Sequence, residues 1–218
     1  MPDIFDEVEE DLRAERAARL WKRYGSLVIG AALFVVLGVA AWQGWEWHRQ
    51  RQLAAAATAY LAAERDAGAP GADLRAAAER FAAIAREAPG GYRVLAALRA
   101  AALKAETGER EAALALWDGI ARDSGVDPLY RDLATVLLVL HSLDSPAADL
   151  ARLAERVAPL TDSANPWQAS AREVAALLAL KRGERETARR MLQALAEDVT
   201  APQGIRGRAG RIAAGLGG

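Results

Sequence analysis

Between Tyr24 and Trp45 the chain reads YGSLVIGAALFVVLGVAAWQGW, 22 consecutive residues without a formal charge. As an α-helix rising about 1.5 Å per residue, this stretch would be roughly 33 Å long, the thickness of a bilayer core. Its flanks favour a spanning helix over a buried one. Trp21 and Tyr24 stand at one end and Trp42, Trp45 and Trp47 at the other, the level at which amphipathic rings prefer to sit.

Orientation follows from the basic residues. Arg13, Arg16, Arg19, Lys22 and Arg23 precede the span, whereas only Arg49 and Arg51 follow it closely. The positive-inside rule then predicts a cytoplasmic N-terminus; the acids of the tail do not alter this, because the rule counts bases. The expected organisation is a cytoplasmic amphipathic tail at 1–23, a transmembrane helix at 24–47 and a domain across the membrane at 48–218.

A cleaved signal peptide is the competing reading, since Leu27 to Ala41 is an apolar run and Gly38-Val39-Ala40 is a tolerable small-x-small site. Against it stand the long acidic leader, the length of the full span and the three tryptophans that cleavage would strand at a new terminus. An uncleaved anchor is the expectation. Ser26 with Gly30, and Ala40 with Gly44, are small-xxx-small pairs that would admit a second helix, but an alanine- and glycine-rich span produces such pairs by chance.

In the tail, Ile4, Phe5, Val8 and Leu12 fall at helical spacing. Acids come first (Asp3, Asp6, Glu7, Glu9, Glu10, Asp11) and bases last, an order that complements the helix dipole. Such a helix either docks a cytoplasmic partner or lies against the membrane surface.

Beyond residue 48 the periodicity is helical throughout, and Pro and Gly punctuate it. Alanine supplies 53 of the 218 residues, which suits helices that pack closely. The spacing predicts helices over 46–67, 73–88, 92–106, 109–123, 127–143, 147–158, 166–182, 184–198 and 203–215, the first continuing the membrane helix. Asp127-Pro128 and Asn165-Pro166 read as a cap followed by proline at the first helical position, and Gly108 and Gly183 as helix-ending glycines.

A repeat runs through this half. Gly108-Glu109-Arg110-Glu111-Ala112-Ala113 returns as Gly183-Glu184-Arg185-Glu186-Thr187-Ala188, a separation of 75 residues or two units. The turn at Ser142 to Ser145, followed by Pro146-Ala147-Ala148, would begin the second helix of the unit between them. Leu74 to Pro89 reads as the second half of an earlier unit. Four helix pairs of 34 to 40 residues account for the domain.

These units resemble tetratricopeptide repeats, in which small residues let two antiparallel helices pack closely and a bulky one four positions on fills the gap. On that resemblance Gly108 is a turn glycine, Ala101 and Ala113 are the small positions of one unit and Trp117 its bulky one. Gly183 carries Ala176, Ala188 and Leu192 in the same roles, and Ala77 with Phe81 and Pro89 matches the first half-unit. Lys104 and Ala179 stand where the family has tyrosine, and its early tryptophan is absent. An irregular alanine-rich bundle is the rival fold, disfavoured by the turn-centred repetition. From the same register Leu95, Leu98 and Ala102 would face a groove or belong to the core.

The complete order also resembles the membrane-anchored family that includes the ancillary subunit of the bacterial Sec translocon. It runs FDEVEEDLRAERAARLWKRYG, one span, WEWHRQRQ, then degenerate repeats. That resemblance rests chiefly on Trp21-Lys22-Arg23-Tyr24-Gly25 and on Trp42 to Trp47. It implies an inner-membrane protein whose repeats face the periplasm beside the translocon and meet periplasmic chaperones.

Chemistry has little to work with. The chain has no cysteine and only two histidines, His48 and His141, 93 residues apart, which leaves no disulfide framework, thiol nucleophile or zinc ribbon. Phosphate-loop and zinc-protease motifs are absent, and Gly204-Ile205-Arg206-Gly207-Arg208-Ala209-Gly210-Arg211 matches no phosphate loop. Acid pairs such as Glu184 and Glu186 suit surface ion pairs. With 28 basic against 29 acidic residues, no global field would gather nucleic acid. The expectation is a non-enzyme without cofactor, metal, nucleic acid or small-molecule substrate, its partners being the bilayer and proteins or peptides such as translocon subunits or periplasmic chaperones. Its expected role is a tethered scaffold. The alternatives are a sensor whose tail docks a cytoplasmic regulator, and a soluble periplasmic repeat protein released by cleavage.

Overall fold

A computed structural model of the chain describes residues 4–146, 148–162 and 164–217, with side chains described from Trp21 onward apart from Val28 and Ala32. The expectations for Asp3, for the tail stripe of Ile4, Phe5, Val8 and Leu12, for the side chains of Arg13, Arg16 and Arg19, and for Ala147 lie outside what is described. Among the described residues all regular structure is helical: α1 (Ile4–Ala67), α2 (Leu74–Glu87), α3 (Gly91–Glu106), α4 (Arg110–Arg122), α5 (Pro128–Ser142), α6 (Leu150–Val157), a single 3-10 turn (Ala158–Thr161), α7 (Gln168–Lys181), α8 (Arg185–Glu197) and α9 (Gln203–Gly215).

The chain divides into two compact units, 1–52 and 53–218. In the first, α1 carries the apolar stretch with its side chains open: Leu27, Phe34, Val36 and Leu37 are 62 to 80% exposed. A helix long and apolar enough to cross a membrane is therefore present.

The second unit begins with the last part of α1. Tyr60 and Ala63 there pack on Phe81 of α2, the two rings meeting edge to face at 5.3 Å. Successive helices then pair α2 with α3, α3 with α4, α4 with α5, and onward to α8 with α9. Among the described residues the core is four clusters in series, each built from one helix pair and closed by the helix that follows it. This nearest-neighbour arrangement is that of a helical solenoid, and α9 closes the last cluster through Ile205, Ala209 and Ala213.

Local chemistry sets the helix ends. Asp73 accepts from the backbone N–H groups of Arg75 and Ala76, Asp127 from Leu129, and Asp149 from Ala151 and Arg152, each satisfying orphan donors of a first turn. At Gly108, φ is 84°, the Glu109 N–H bonds to the Lys104 carbonyl at 2.8 Å and the Gly108 N–H to Ala105 at 3.2 Å. Gly183 repeats this at φ 82°, with Glu184 bonding to Ala179 at 2.9 Å and Gly183 to Leu180 at 3.0 Å. Both are left-handed caps that reverse the chain within two residues.

Counted as the helix pairs α1/α2, α3/α4, α5/α6 and α7/α8, the third repeat unit departs from its neighbours. Its second helix, expected from residue 147, starts at Leu150 and lasts 8 residues where α4 and α8 have 13. Leu143 follows α5 in right-handed conformation at φ −57° and no glycine is available there. Without a left-handed cap the chain cannot reverse at once. It crosses a longer loop, and Asp149 rather than Pro146 starts the helix.

Candidate protein-binding surface

The small and bulky positions of the repeats lie at the helix crossings. Ala101, Ala113, Trp117, Ala176, Ala188 and Leu192 are each 0% exposed, as is Phe81. Ala101, Ala113 and Trp117 share one cluster, and Ala176 and Leu192 another. In the first unit the fully buried alanine is Ala78; Ala77 beside it is only partly buried against the same cluster. Phe81 itself is met by the ring of Tyr60 as well as by the alanines of its cluster. The third unit buries Leu153 and Val157 four residues apart, so a large residue stands where α4 and α8 have alanine.

Leu95, Leu98 and Ala102 of α3 are half-buried, and the last two lean on the cluster of the second unit. They divide their surface between core and solvent. Leu129 and Leu140 on α5 are more open, at 40% and 36%.

Periodicity alone did not bring forward a ladder of ion pairs spaced by one repeat. Glu64 meets Arg99 at 3.0 Å, Asp118 meets Arg156 at 2.7 Å, Asp144 meets Lys181 at 2.9 Å and Glu173 meets Arg208 at 2.7 Å. The partners lie 35 to 38 residues apart, so each pair reaches from one unit to the next. The signal available in the sequence was opposite charge at the repeat period.

One rung of this ladder and a separate centre at Lys104 are partly removed from water. Glu173 is 8% exposed and its carboxylate takes both Nε and Nη2 of Arg208, at 2.8 and 2.7 Å; the bidentate bond holds the Arg208 guanidinium above its ordinary pKa. Lys104, also 8% exposed, donates to Glu79 and Glu109. Those bonds outweigh desolvation and raise the ammonium pKa. An ion centre thus replaces the family's tyrosine.

In the first compact unit the residues expected at a membrane surface are open to solvent. Trp21, Trp42, Trp45 and Trp47 are 55 to 67% exposed and Tyr24 is 46% exposed, while Lys22 and Arg23 are exposed as well. The Arg51 guanidinium lies 3.8 Å from the Trp47 ring centroid, Arg49 5.8 Å from Trp45, and Arg23 5.6 Å from Tyr24. Three of these five aromatics, Tyr24, Trp45 and Trp47, thus have a cation over a ring face.

A serial array of helix pairs with buried small residues, joined by ion pairs of one-repeat reach, defines a helical-repeat protein of the kind that presents surface to other chains. Residues 18–206 match the sequence model of the tetratricopeptide repeat-like domain, and the chain belongs to that family. Domains of this type generally mediate protein–protein interaction and are generally non-catalytic scaffolds. No curated protein and no solved structure gave a significant match.

Proposed function

We propose that this protein is a membrane-tethered scaffold whose repeat domain binds proteins or peptides across the membrane from its N-terminal tail. The observation that carries the reading is an uncharged helical segment with its large side chains exposed, in a chain that also holds a tetratricopeptide repeat-like domain. So much open apolar surface on one helix needs a lipid or protein cover. Tryptophans and tyrosine at both ends support lipid, and the excess of bases before the span supports a cytoplasmic tail.

The compartment that fits is the bacterial periplasm, with the span in the inner membrane. The partner chemistry that fits is the translocon or a periplasmic chaperone, because the anchor and tail motifs resemble those of the translocon-associated family. Confinement beside a secretion site raises local concentration, so weak contacts suffice.

Membrane fractionation with alkaline extraction, followed by in-cell crosslinking from photoreactive residues in the tail, at Trp47 and at positions between 92 and 182, tests this. An intact, alkali-resistant chain crosslinked to translocon subunits or chaperones is expected. A shortened, alkali-extractable product overturns the tether. An intact anchor crosslinked solely through its tail points to a signalling protein instead.

A further inference from the structure

The short α6 leaves open ground between the second and third units. A cleft of about 420 Å³ lies between α4 and α6, floored by Leu114, Leu138 and Leu153. It shares Leu114 and Ser145 with a second hollow of about 590 Å³ bounded by the Gly108 turn and Pro146. Together they form a trough along α4, the shape an extended segment would occupy.

The charges of the cleft are unevenly committed. Its acids are already engaged: Asp118 holds Arg156 and Arg122 at 2.7 Å each, and Asp149 accepts the Ala151 and Arg152 backbone N–H groups as the helix cap. Its bases are in excess. Arg122, 66% exposed, shares its carboxylate with Arg156, and Arg152 meets no carboxylate within salt-bridge distance among the described residues. At the turn end Arg110 is matched by Glu109, which Lys104 holds at 3.1 Å, and by Glu111, so the excess of bases is confined to the cleft between α4 and α6.

We propose that this trough is a docking site for an acidic peptide segment, with an apolar side chain seated on Leu114 and Leu153 and carboxylates taken by Arg152 and Arg122. The inference rests on the reading of the repeats as protein-binding and names the chemistry of the partner. Complementary charge sets the choice of partner, and the apolar floor supplies desolvated contact. Basic segments are disfavoured because both acids of the cleft are occupied.

The test uses the full-length protein in detergent and two fluorescein-labelled 12-residue peptides. One alternates Glu with Leu and Ala; the other carries Lys in place of each Glu. Anisotropy should show the acidic peptide binding more tightly than the basic one, with affinity falling as salt rises. Arg152→Glu should weaken the acidic peptide about five- to tenfold, and helicity by circular dichroism confirms that the variant is folded. A photoreactive residue at Ala115 should crosslink to the acidic peptide, and one at Glu186 should not. Equal binding of both peptides, no binding, or indifference to Arg152→Glu overturns the proposal. Crosslinks from positions 95 and 98 instead of 115 overturn the trough while leaving the scaffold intact, and the scaffold's own in-cell test does not depend on these peptides.

Discussion

The imidazole of His141, on α5, lies stacked on the indole of Trp117, on α4, with ring centroids 4.6 Å apart and planes 29° from parallel. Trp117 is wholly buried, so the histidine forms one lid of the second unit's core. Burial, and then the charge of Arg110, push the His141 pKa down, and Asp144 opposes them. Lys181 holds Asp144 in turn, which blunts that opposition.

Because His141 binds its proton less readily folded than unfolded, the unfolded state gains protons first as pH falls. Stability should therefore be full above the ordinary histidine pKa of about 6.5. It should decline as pH drops from there through the lower folded value. Urea denaturation at a series of pH values should show this slope, and His141→Gln should flatten it.

Trp117→Ala removes the largest wholly buried side chain and should cost about 3–5 kcal/mol of unfolding free energy. Thermal or urea unfolding of the full-length chain reads the loss. Trp42→Ala, at a ring 67% exposed, should leave the same transition in place.

Gly108 and Gly183 have left-handed backbones with open space where a Cβ would project, so the penalty of a side chain is conformational and not steric. Gly108→Ala and Gly183→Ala should each cost about 1–2 kcal/mol. The two should add, since they lie in different units. Calorimetry of the single and double variants checks this.

At the last interface, Arg208→Ala strands the Glu173 carboxylate in a largely buried place and should cost about 1–3 kcal/mol. Removing Glu173 as well should recover part of that loss in a double-mutant cycle. The open Lys181 and Asp144 pair should show no measurable coupling.

Overpacking tests the small positions. Ala188→Leu places extra methylenes at a site with no exposed surface and should destabilise by about 1–3 kcal/mol. Thermal unfolding measures it, and a cost near zero would mean that the crossing of α7 and α8 is looser than its burial implies.

How far the sequence could be read depended on which residues carried the signal. The turns at Gly108 and Gly183 were legible because left-handed backbone demands glycine and the following Glu-Arg-Glu repeated. The third unit misled, because no glycine marks its turn and Asp149, not Pro146, starts its helix. The repeat spacing points to Ala77 where Ala78 is the fully buried residue, since consecutive alanines present no contrast from which to read a face. Glu173 with Arg208 and Asp118 with Arg156 were hidden among many charges, and only their shared one-repeat spacing separates them from ordinary surface pairs. The exposed apolar stretch of α1 was the plainest feature, because length and lack of charge need no register.

The one-repeat ladder bears on how such a chain can change its length. Since every rung reaches only the adjacent unit, a duplicated stretch that runs from an acid to its base, such as 173–208, would carry a complete rung with it. An insertion of any other size inside a helix would separate them. A lengthening by about 37 residues that keeps a buried acid and its base together, as at Glu173 and Arg208, would thus arrive with its own fastening.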